Sequence, residues 1–311
     1  MSDILLSVVS PVYRGENMIP ELVCRIESSI SKITNQYEII LVNDASPDNS
    51  WQKISEICVI NKHVKGVDLS KNFGQHPAIS AGLSISKGDW VVVMDCDLQD
   101  RPEEIGRLFT KAQEGYDIVY ARRTNRKDKY FKRLSSAVFH TVYDWLSGTK
   151  TDKTIANFGI YRHRVIEEIV NIPDISRGFG LLLNCVGFRH TAIDVEHAGR
   201  AEGTSSYSLI KLLKLAFDGI IANSNKPLKM AVSLGFIMSI VSFVLAIYNI
   251  IAKFIGFIEV PGFTSTLFSI WFVGGLLLFV LGIIGIYIGR IYDQVKGRPY
   301  MVIREILNRD E

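Results

Sequence analysis

Residues 90–100 read Trp-Val-Val-Val-Met-Asp-Cys-Asp-Leu-Gln-Asp. A continuous apolar run of this kind, rich in Val, indicates a strand that is buried on both faces of a sheet. Side chains at i and i+2 point the same way from a strand, so Asp95 and Asp97 present two carboxylates together while Cys96 turns away. Open α/β sheets bind ligands at the carboxyl edge of their strands. This stretch therefore predicts a binding site at a sheet edge.

The two carboxylates favour a particular kind of site. Asp95 and Asp97 offer hard oxygen donors without a His or Cys partner at ligand spacing, which suits Mg²⁺ or Mn²⁺ better than Zn²⁺. Mg²⁺ is usually held by one or two carboxylates together with substrate phosphates. We therefore hypothesise a site for a divalent ion and a diphosphate. On local evidence, the alternative that two acids merely begin a solvated turn stays open.

Alternating strand and helix patterns surround this stretch. Apolar runs of strand length recur before and after it, and helical periodicity separates the first four of them. The predicted strands are residues 4–10, 37–42, 64–69, 90–94, 117–121, 155–161 and 187–197. Strands that alternate with helices are typical of βαβ units, so we predict an α/β domain with a mostly parallel sheet.

Two long apolar runs follow this domain. No residue is charged from 230 to 252 or from 260 to 289, and each run exceeds the roughly 20 residues that span a bilayer. We predict two transmembrane helices rather than a buried hairpin, because helices of a soluble core rarely stay uncharged on every face. Lys and Arg residues flank the pair on its outer sides, so both chain ends are expected in the cytoplasm.

Composition and charge exclude other classes. The net charge is only +3, and no Arg-rich or aromatic-interleaved stretch occurs, so nucleic acid is not a predicted partner. The four cysteines show neither metal spacing nor a paired framework, which is typical of a reducing compartment. The first residues lack the basic region of a signal peptide.

Several stretches beyond the acidic pair carry a resemblance to a known family. They are V-V-S-P-V-Y (8–13), L-V-N-D-A-S-P-D (41–48), N-F-G-Q-H-P-A-I-S-A-G (72–82), M-D-C-D-L-Q-D-R-P-E-E (94–104), R-A-E-G-T-S-S-Y-S (200–208) and G-R-I-Y-D-Q-V-K-G-R-P (289–299). With the two apolar runs, they resemble the family 2 inverting glycosyltransferases that load a sugar onto a polyisoprenyl phosphate, the bactoprenol glucosyltransferase and dolichol-phosphate mannose synthase group. The resemblance spans nearly the whole chain.

The resemblance implies a domain plan. It implies a GT-A fold, Rossmann-like with a mostly parallel sheet, followed by the two transmembrane helices. The expected parts are a cytoplasmic GT-A domain (1–205), an amphipathic interfacial segment (206–229), a first transmembrane helix (230–252), a short external connector (253–264), a second transmembrane helix (265–289) and a cytoplasmic tail (290–311).

The resemblance also implies site residues. Asp44 would read the nucleotide base, Asp95 would lie by the ribose and diphosphate, and Asp97 would hold the metal with Asp95. The expected nucleotide-sugar pocket comprises Pro11, Tyr13, Glu16, Asp44, Asp95, Gln99 and Asp100. The expected acceptor-phosphate site comprises Arg123, Arg126, Arg200 and Ser206. Guanidinium groups match phosphate oxygens, although the first two arginines could instead form a solvated basic turn.

Two positions depart from the family pattern. Asn157 stands where many members carry an Asp, and Ser206 stands where a Lys is usual. An Asn cannot act as a general base. The acceptor is a phosphate monoester with a second pKa of about 6, so near neutral pH it needs no proton removed before it attacks. The expected catalytic set is therefore Asp95, Asp97, Asn157 as an orienting group, and Arg200.

The implied function is an inverting transfer of a sugar, glucose from UDP-glucose, to undecaprenyl phosphate. It would occur at the cytoplasmic face of a bacterial inner membrane, for cell-surface glycan or lipopolysaccharide modification. Alternatives are the same reaction with GDP-mannose, a UDP-HexNAc or a dTDP-sugar, or a membrane scaffold with a degenerate transferase domain. A processive polysaccharide synthase is disfavoured because no Q-x-x-R-W motif is present. A homo-oligomer stays open.

Overall fold

The computed structural model describes residues 5–123, 145–146, 155–172, 178–195, 219–221, 224–255 and 262–309. The chain divides into two compact units. The first comprises Met1–Lys129, Asp152–Ser205 and Pro299–Glu311, and the second comprises Tyr130–Thr151 and Ser206–Arg298.

The first unit is built on one eight-stranded sheet. Its strands are β1 (Leu6–Val12), β2 (Tyr37–Asn43), β3 (Val64–Leu69), β4 (Trp90–Val93), β5 (Ile118–Arg123), β6 (Ile155–Arg162), β7 (His190–Val195) and β8 (Ile303–Leu307). They lie in the order β7-β5-β6-β4-β1-β2-β3-β8. β6 and β8 run antiparallel to their neighbours, and the other strands share one direction. The predicted GT-A type of α/β fold, with a mostly parallel sheet, is confirmed.

Helices cover both faces of this sheet. They are α1 (Ile19–Ile30), α2 (Ser50–Ile60), α3 (Gln75–Ile85), α4 (Ile105–Ala112), α5 (His163–Val170) and α6 (Phe179–Cys185). Residues of α1, α2 and α4 pack in one apolar core, and residues of α3, α5 and α6 pack in the other. Neighbouring side chains of β1 divide between the two, Val8 in the first core and Val9 in the second, because successive side chains leave a strand on opposite faces.

One glycine sets the position of α3 on the sheet. A Cβ at Gly82 would lie only 2.4 Å from Cγ1 of Val9 and 3.0 Å from Cγ2 of Val42. Only a residue without a side chain lets the helix backbone approach β1 and β2 this closely. The close approach directs the first residue of α3, Gln75, to the carboxyl edge of the sheet, where the candidate site lies.

The outermost strand next to β3 comes from a part of the chain that was predicted to be a tail. β8 pairs antiparallel with β3, from Gly66↔Leu307 to Leu69↔Ile303. Immediately after β8, the Asn308 side-chain amide donates hydrogen bonds to three backbone carbonyls, those of Cys58 (2.7 Å), Asn61 (3.2 Å) and Val64 (2.8 Å). The sequence analysis did not anticipate this strand.

The second unit contains two long helices, α7 (Lys226–Phe254) and α8 (Phe263–Val295). By length and composition, residues Lys226–Val244 and Ser269–Val295 within them could each cross a membrane. No side chain of Ser269–Val295, all of which the structure describes, is buried within the protein. The two predicted apolar helices are therefore present. Most of the predicted interfacial segment, residues 206–229, lies outside the described residues.

Candidate active site

The predicted site residues of β1, β2 and β4 share one edge of the sheet. β1 pairs in parallel with β2 up to Val12↔Asn43, and with β4 up to Val9↔Val93. The loops that leave these strands therefore lie side by side. This register places Tyr13, Asp44 and Asp95, three of the predicted site residues, on neighbouring loops.

The acidic loop holds its two carboxylates in different ways. Asp95 Oδ1 accepts a 2.6 Å hydrogen bond from the Gln75 side-chain amide. Asp97 Oδ1 accepts a 3.1 Å hydrogen bond from the backbone N–H of Gln99, which closes a turn. Leu98, between them, has a positive φ of 58°. The turn leaves Asp95 and Asp97 half-buried rather than enclosed.

Cys96 points away from the two carboxylates, as the alternation predicted. Its side chain packs in the core with α1 and is only 8% exposed. Burial raises the pKa of the Cys96 thiol to about 11, so the thiol stays neutral near physiological pH. Cys96 therefore anchors the loop by packing in the core, and the flanking carboxylates of Asp95 and Asp97 remain the candidate ligand groups.

The carboxylates suit a divalent ion that shares its coordination with a ligand. In the described part of the chain, no group of three or more His, Cys, Asp or Glu side chains could hold a metal. An ion held by Asp95 and Asp97 would have room in its coordination shell for donor phosphates and water. Mg²⁺ and Mn²⁺ accept such a set, since hard cations prefer oxygen ligands and Mg²⁺ keeps several waters.

Asp44 is held by the loop that precedes α3. It is 3% exposed, and its two carboxylate oxygens accept hydrogen bonds from the backbone N–H groups of Phe73 (2.7 Å) and Gly74 (2.8 Å). Burial raises the pKa of Asp44, and these two N–H groups oppose that shift. A carboxylate has about four lone-pair sites, so lone pairs remain for a ligand donor such as a base N–H.

The loops after β1 and β2 are bound to each other. The backbone N–H of Arg14 donates to Ser46 Oγ (2.7 Å), and that of Gly15 donates to Ser50 Oγ (3.1 Å). In the other direction, Glu16 accepts a 3.0 Å hydrogen bond from the backbone N–H of Asn49, at the start of α2. Glu16, predicted to line the nucleotide pocket, therefore caps α2 and joins the loop after β1 to the start of that helix.

Backbone strain concentrates in these loops. Among described residues, four that are not glycine have a positive φ. Three of them, Arg14 (55°), Ala45 (46°) and Leu98 (58°), belong to the loops that follow β1, β2 and β4. Such conformations cost roughly 1–3 kcal/mol each and persist where the surroundings hold them in place. Strain of this kind recurs at functional sites, so its clustering supports the choice of this edge as the candidate site.

The other predicted pocket residues divide by exposure. Tyr13 is 45% exposed and presents a ring at the edge, with the Arg14 guanidinium carbon 5.6 Å from its centre. Pro11 and Asp100 are buried. Gln99 is half-buried next to Asp97.

Asn157 lies near the same sheet edge as Asp95, although its strand β6 runs in the opposite direction to β4. β4 and β6 pair antiparallel up to Val93↔Gly159, so Asp95 and Asn157 each stand two residues beyond the last pair. The backbone carbonyl of Asn157 accepts a 3.3 Å hydrogen bond from the Tyr161 hydroxyl, and its side chain is half-buried. The two predicted residues therefore approach each other at one sheet edge.

The predicted acceptor-phosphate residues are only partly described. Arg123 ends β5, whose direction matches that of β4, so its backbone reaches the same edge. Arg126, Arg200 and Ser206 lie outside the described residues.

Gln75 is a site residue that the sequence analysis did not name as one. Its amide contacts Asp95 across 20 sequence positions. The motif of residues 72–82 contained it, but no local pattern connects an amide at the start of a helix with an acid on a distant loop.

Comparisons with known proteins agree with this geometry. A model of Glycosyl transferase family 2 matches residues 7–170. An undecaprenyl-phosphate 4-deoxy-4-formamido-L-arabinose transferase of Proteus mirabilis is 36% identical over 97% of this chain and 94% of its own. Its counterpart from Yersinia enterocolitica is 34% identical over 98% and 94%.

Solved structures support the fold. The crystal structure of mannosyl-3-phosphoglycerate synthase from Rubrobacter xylanophilus superposes with a TM-score of 0.50 at 17% identity, covering 70% of this chain and 72% of that one. A likeness at this identity concerns the fold alone. The family match and the two relatives establish that this chain belongs to glycosyl transferase family 2 and is a glycosyltransferase.

Proposed function

We propose that this enzyme transfers a sugar from a nucleotide diphosphate donor to undecaprenyl phosphate. The observation that carries the proposal is similarity over nearly the full chain to relatives whose names specify this acceptor. The acidic pair at the sheet edge suits the diphosphate, and the two apolar helices suit a lipid acceptor that resides in a membrane.

The donor sugar is the open part of this proposal. The sequence analysis predicts glucose from UDP-glucose. The names of the relatives specify 4-deoxy-4-formamido-L-arabinose, so a nucleotide-activated form of that sugar is the second candidate. GDP-mannose, a UDP-HexNAc and a dTDP-sugar are the other candidate donors, and the donor screen described below includes them. Either leading candidate fits modification of a cell-surface glycan or lipopolysaccharide.

The proposed reaction depends on alignment of an acceptor oxygen with the anomeric carbon, and it needs no proton removed from the acceptor. The acceptor phosphate is largely a dianion near neutral pH, so one of its oxygens attacks the anomeric carbon directly. The bond from that carbon to the diphosphate oxygen breaks, its electron pair stays on the nucleoside diphosphate, and the carbon inverts.

The residues at the sheet edge divide this work. Asp95 and Asp97 would hold a Mg²⁺ or Mn²⁺ ion, which supplies Lewis-acid stabilisation of the departing diphosphate. Gln75 fixes the orientation of Asp95 through its 2.6 Å hydrogen bond. In this proposal, Asn157 orients a substrate by hydrogen bonding, and Arg123, Arg126, Arg200 and Ser206 surround the acceptor phosphate.

We also propose an inner-membrane location with the catalytic unit in the cytoplasm. A reporter fused to either chain end should read cytoplasmic, and one inserted near Gly262, between α7 and α8, should read external. A cytoplasmic signal from the insertion would contradict two full spans and indicate a re-entrant hairpin.

A donor screen tests the proposed reaction. Membranes that contain the enzyme are incubated with undecaprenyl phosphate, a divalent ion and each radiolabelled donor in turn, and lipid-linked product is extracted and counted. We expect product with one donor and none when undecaprenyl phosphate is replaced by undecaprenol. Failure of every donor to label the lipid would contradict the proposal.

A further inference from the structure

The edge strand β8 contacts the carboxyl end of β3 and the loop before α3 through one arginine. Arg304 Nη1 donates a 3.0 Å hydrogen bond to Asp68 Oδ2 at the end of β3. Its Nη2 donates a 2.8 Å hydrogen bond to the backbone carbonyl of Ser70. One guanidinium group therefore holds two points, a carboxylate on β3 and the first residue of the loop that leads to α3.

The first contact continues into the loops after β1 and β2. Asp68 is 2% exposed, and its other oxygen accepts a 2.8 Å hydrogen bond from the Asn43 amide. The side-chain amide oxygen Oδ1 of Asn43 in turn accepts a hydrogen bond from the backbone N–H of Ser46 (3.3 Å). Ser46 Oγ accepts the N–H of Arg14. A continuous chain of hydrogen bonds thus joins Arg304 to both loops.

The second contact reaches the same place by another route. Ser70 begins the short loop before α3, and its N–H donates to the Val302 carbonyl (2.9 Å), immediately before β8. At the far end of this loop, the N–H groups of Phe73 and Gly74 hold the two oxygens of Asp44. The two routes converge on Asp44 and Ser46, the neighbours of Ala45 with its positive φ.

We propose that Arg304 is a positioning residue for the donor nucleotide. It acts by holding the segment of residues 44–46 in the geometry that receives the base, and so it raises the affinity for the nucleoside diphosphate. This inference rests on the proposed function and on the role that the family resemblance implies for Asp44, which is to read the nucleotide base. An arginine suits the role because its planar fork serves two acceptors at once, which a lysine ammonium on a flexible stem does not do in fixed geometry.

A purely structural role explains Arg304 less well. Its side chain is 59% exposed, and without it the buried Asp68 carboxylate keeps the hydrogen bond from the Asn43 amide. β8 is also held by its backbone pairing with β3 and by the three hydrogen bonds of Asn308. The strand can therefore stay in place without Arg304, while the two routes to Asp44 lose their common anchor.

The test measures nucleotide binding apart from sugar transfer. Full-length protein in detergent is titrated calorimetrically with UDP, GDP and dTDP in the presence of Mg²⁺, and the diphosphate that binds is used for the variants Arg304→Ala, Arg304→Lys and Arg309→Ala. The last variant removes the same charge from an exposed residue just after β8. We expect a Kd about fivefold higher for Arg304→Ala, the effect of roughly one lost hydrogen bond, and a smaller increase for Arg304→Lys. Arg309→Ala should bind as the wild type does.

Steady-state kinetics separate positioning from catalysis. For Arg304→Ala we expect the donor KM to rise as the Kd does, while kcat at saturating donor and the acceptor KM stay unchanged. An unchanged Kd would overturn the inference. If the Tm fell while the Kd stayed unchanged, Arg304 would provide structural support only. If none of the three diphosphates bound the wild type, the proposed function would fail and this inference with it.

Discussion

The two ends of the central strands both carry buried polar groups, and they arrange them in opposite ways. At the amino end, Glu38 is 1% exposed and accepts hydrogen bonds from Ser7 Oγ (2.6 Å) and the Lys87 N–H (2.7 Å). It also forms an ion pair with Lys65 Nζ at 2.8 Å. This cluster is closed, because the charges of Glu38 and Lys65 neutralise each other away from water.

At the carboxyl end the arrangement is open, because Asp95 and Asp97 lie in a loop and are only half-buried. The Gln75 amide donates a hydrogen bond to Asp95, and the backbone N–H of Gln99 donates one to Asp97. The loops there also hold the strained residues Arg14, Ala45 and Leu98. We interpret the enclosed ion pair as a feature that serves the fold, and the half-buried carboxylates beside strained loops as the candidate ligand site.

The largest expected effect comes from removing one carboxylate at the open end. Asp97→Asn should lower kcat by about 10³-fold or more, because it removes a ligand of the ion that stabilises the departing diphosphate. The measurement is lipid-linked product from membranes of the variant. Folding should be unaffected, since burial of β4 comes from Val91, Val92 and Val93.

The matched control for this variant is Asp194→Asn, an exposed carboxylate on β7, which should leave activity unchanged. Chelation offers an independent check. Full activity of the wild type in excess EDTA would contradict a metal role for the acidic pair and remove the main chemical difference between the two strand ends.

The closed cluster should respond in stability and not in chemistry. Lys65→Met leaves Glu38 buried without its cation, and breaking a buried pair in this way costs about 3–5 kcal/mol of unfolding free energy. Thermal unfolding in detergent should show a markedly lower Tm, with kcat per folded molecule unchanged. Lys53→Met, which removes an exposed ion pair with Glu56 of the same 2.8 Å length, should shift Tm little. Equal shifts would mean that enclosure of the cluster is not what matters.

A smaller effect is expected from Gln75. Gln75→Leu removes the hydrogen bond that orients Asp95, and the loss of a bond to a charged group should lower kcat/KM for the donor by about tenfold. Gln52→Leu removes an amide–carboxylate contact of 3.1 Å on exposed α2 and should have no effect. If both variants were fully active, the ordered state of the acidic loop would not depend on α3.

The smallest effect should come from Asn157. Asn157→Ala should lower kcat by a few fold, because it removes an orienting contact and not a base. The wild-type kcat should follow the second ionisation of the acceptor phosphate and level off above about pH 7. The backbone carbonyl of Asn157 keeps its Tyr161 contact in every variant, so the position itself is preserved.

The comparison with Asn157→Asp decides whether a base helps. The measurement is the pH profile of kcat at saturating donor and acceptor. A much faster Asp variant with a new acidic limb would show that a carboxylate is useful there, and the wild type would then be a weakened or specialised transferase.

The strand ends that form the site were predictable because the signal is local. The apolar run from Trp90 to Met94 indicates a buried strand, and the period-two alternation of side chains places Asp95 and Asp97 on the same side. The direction in which two strands pair is not indicated by a local sequence pattern. Nothing in residues 155–162 indicates that β6 runs antiparallel to β4, and this direction is what brings Asn157 toward Asp95.

The contacts that the sequence did not reveal join distant segments. Gln75 and Asp95 lie 20 positions apart, and Arg304 and Asp68 lie 236 apart. β8 has only five residues, two of which are charged, so its sequence does not differ from that of a solvated tail. Its identity as a strand depends on the unpaired edge that β3 offers, which becomes evident only once the sheet is assembled.

The place of β8 in the chain has a consequence for biosynthesis. Ribosomes make β3 early, but its pairing partner is made after both apolar helices, about 240 residues later at β8. Until then the edge of β3 is exposed, and exposed strand edges of incomplete chains favour aggregation. At a synthesis rate of about 5–20 residues per second, this interval lasts on the order of 10–50 s. A nascent chain that stalls after the apolar helices would therefore carry an open sheet edge, a feature by which chaperones and proteases distinguish incomplete products from finished enzyme.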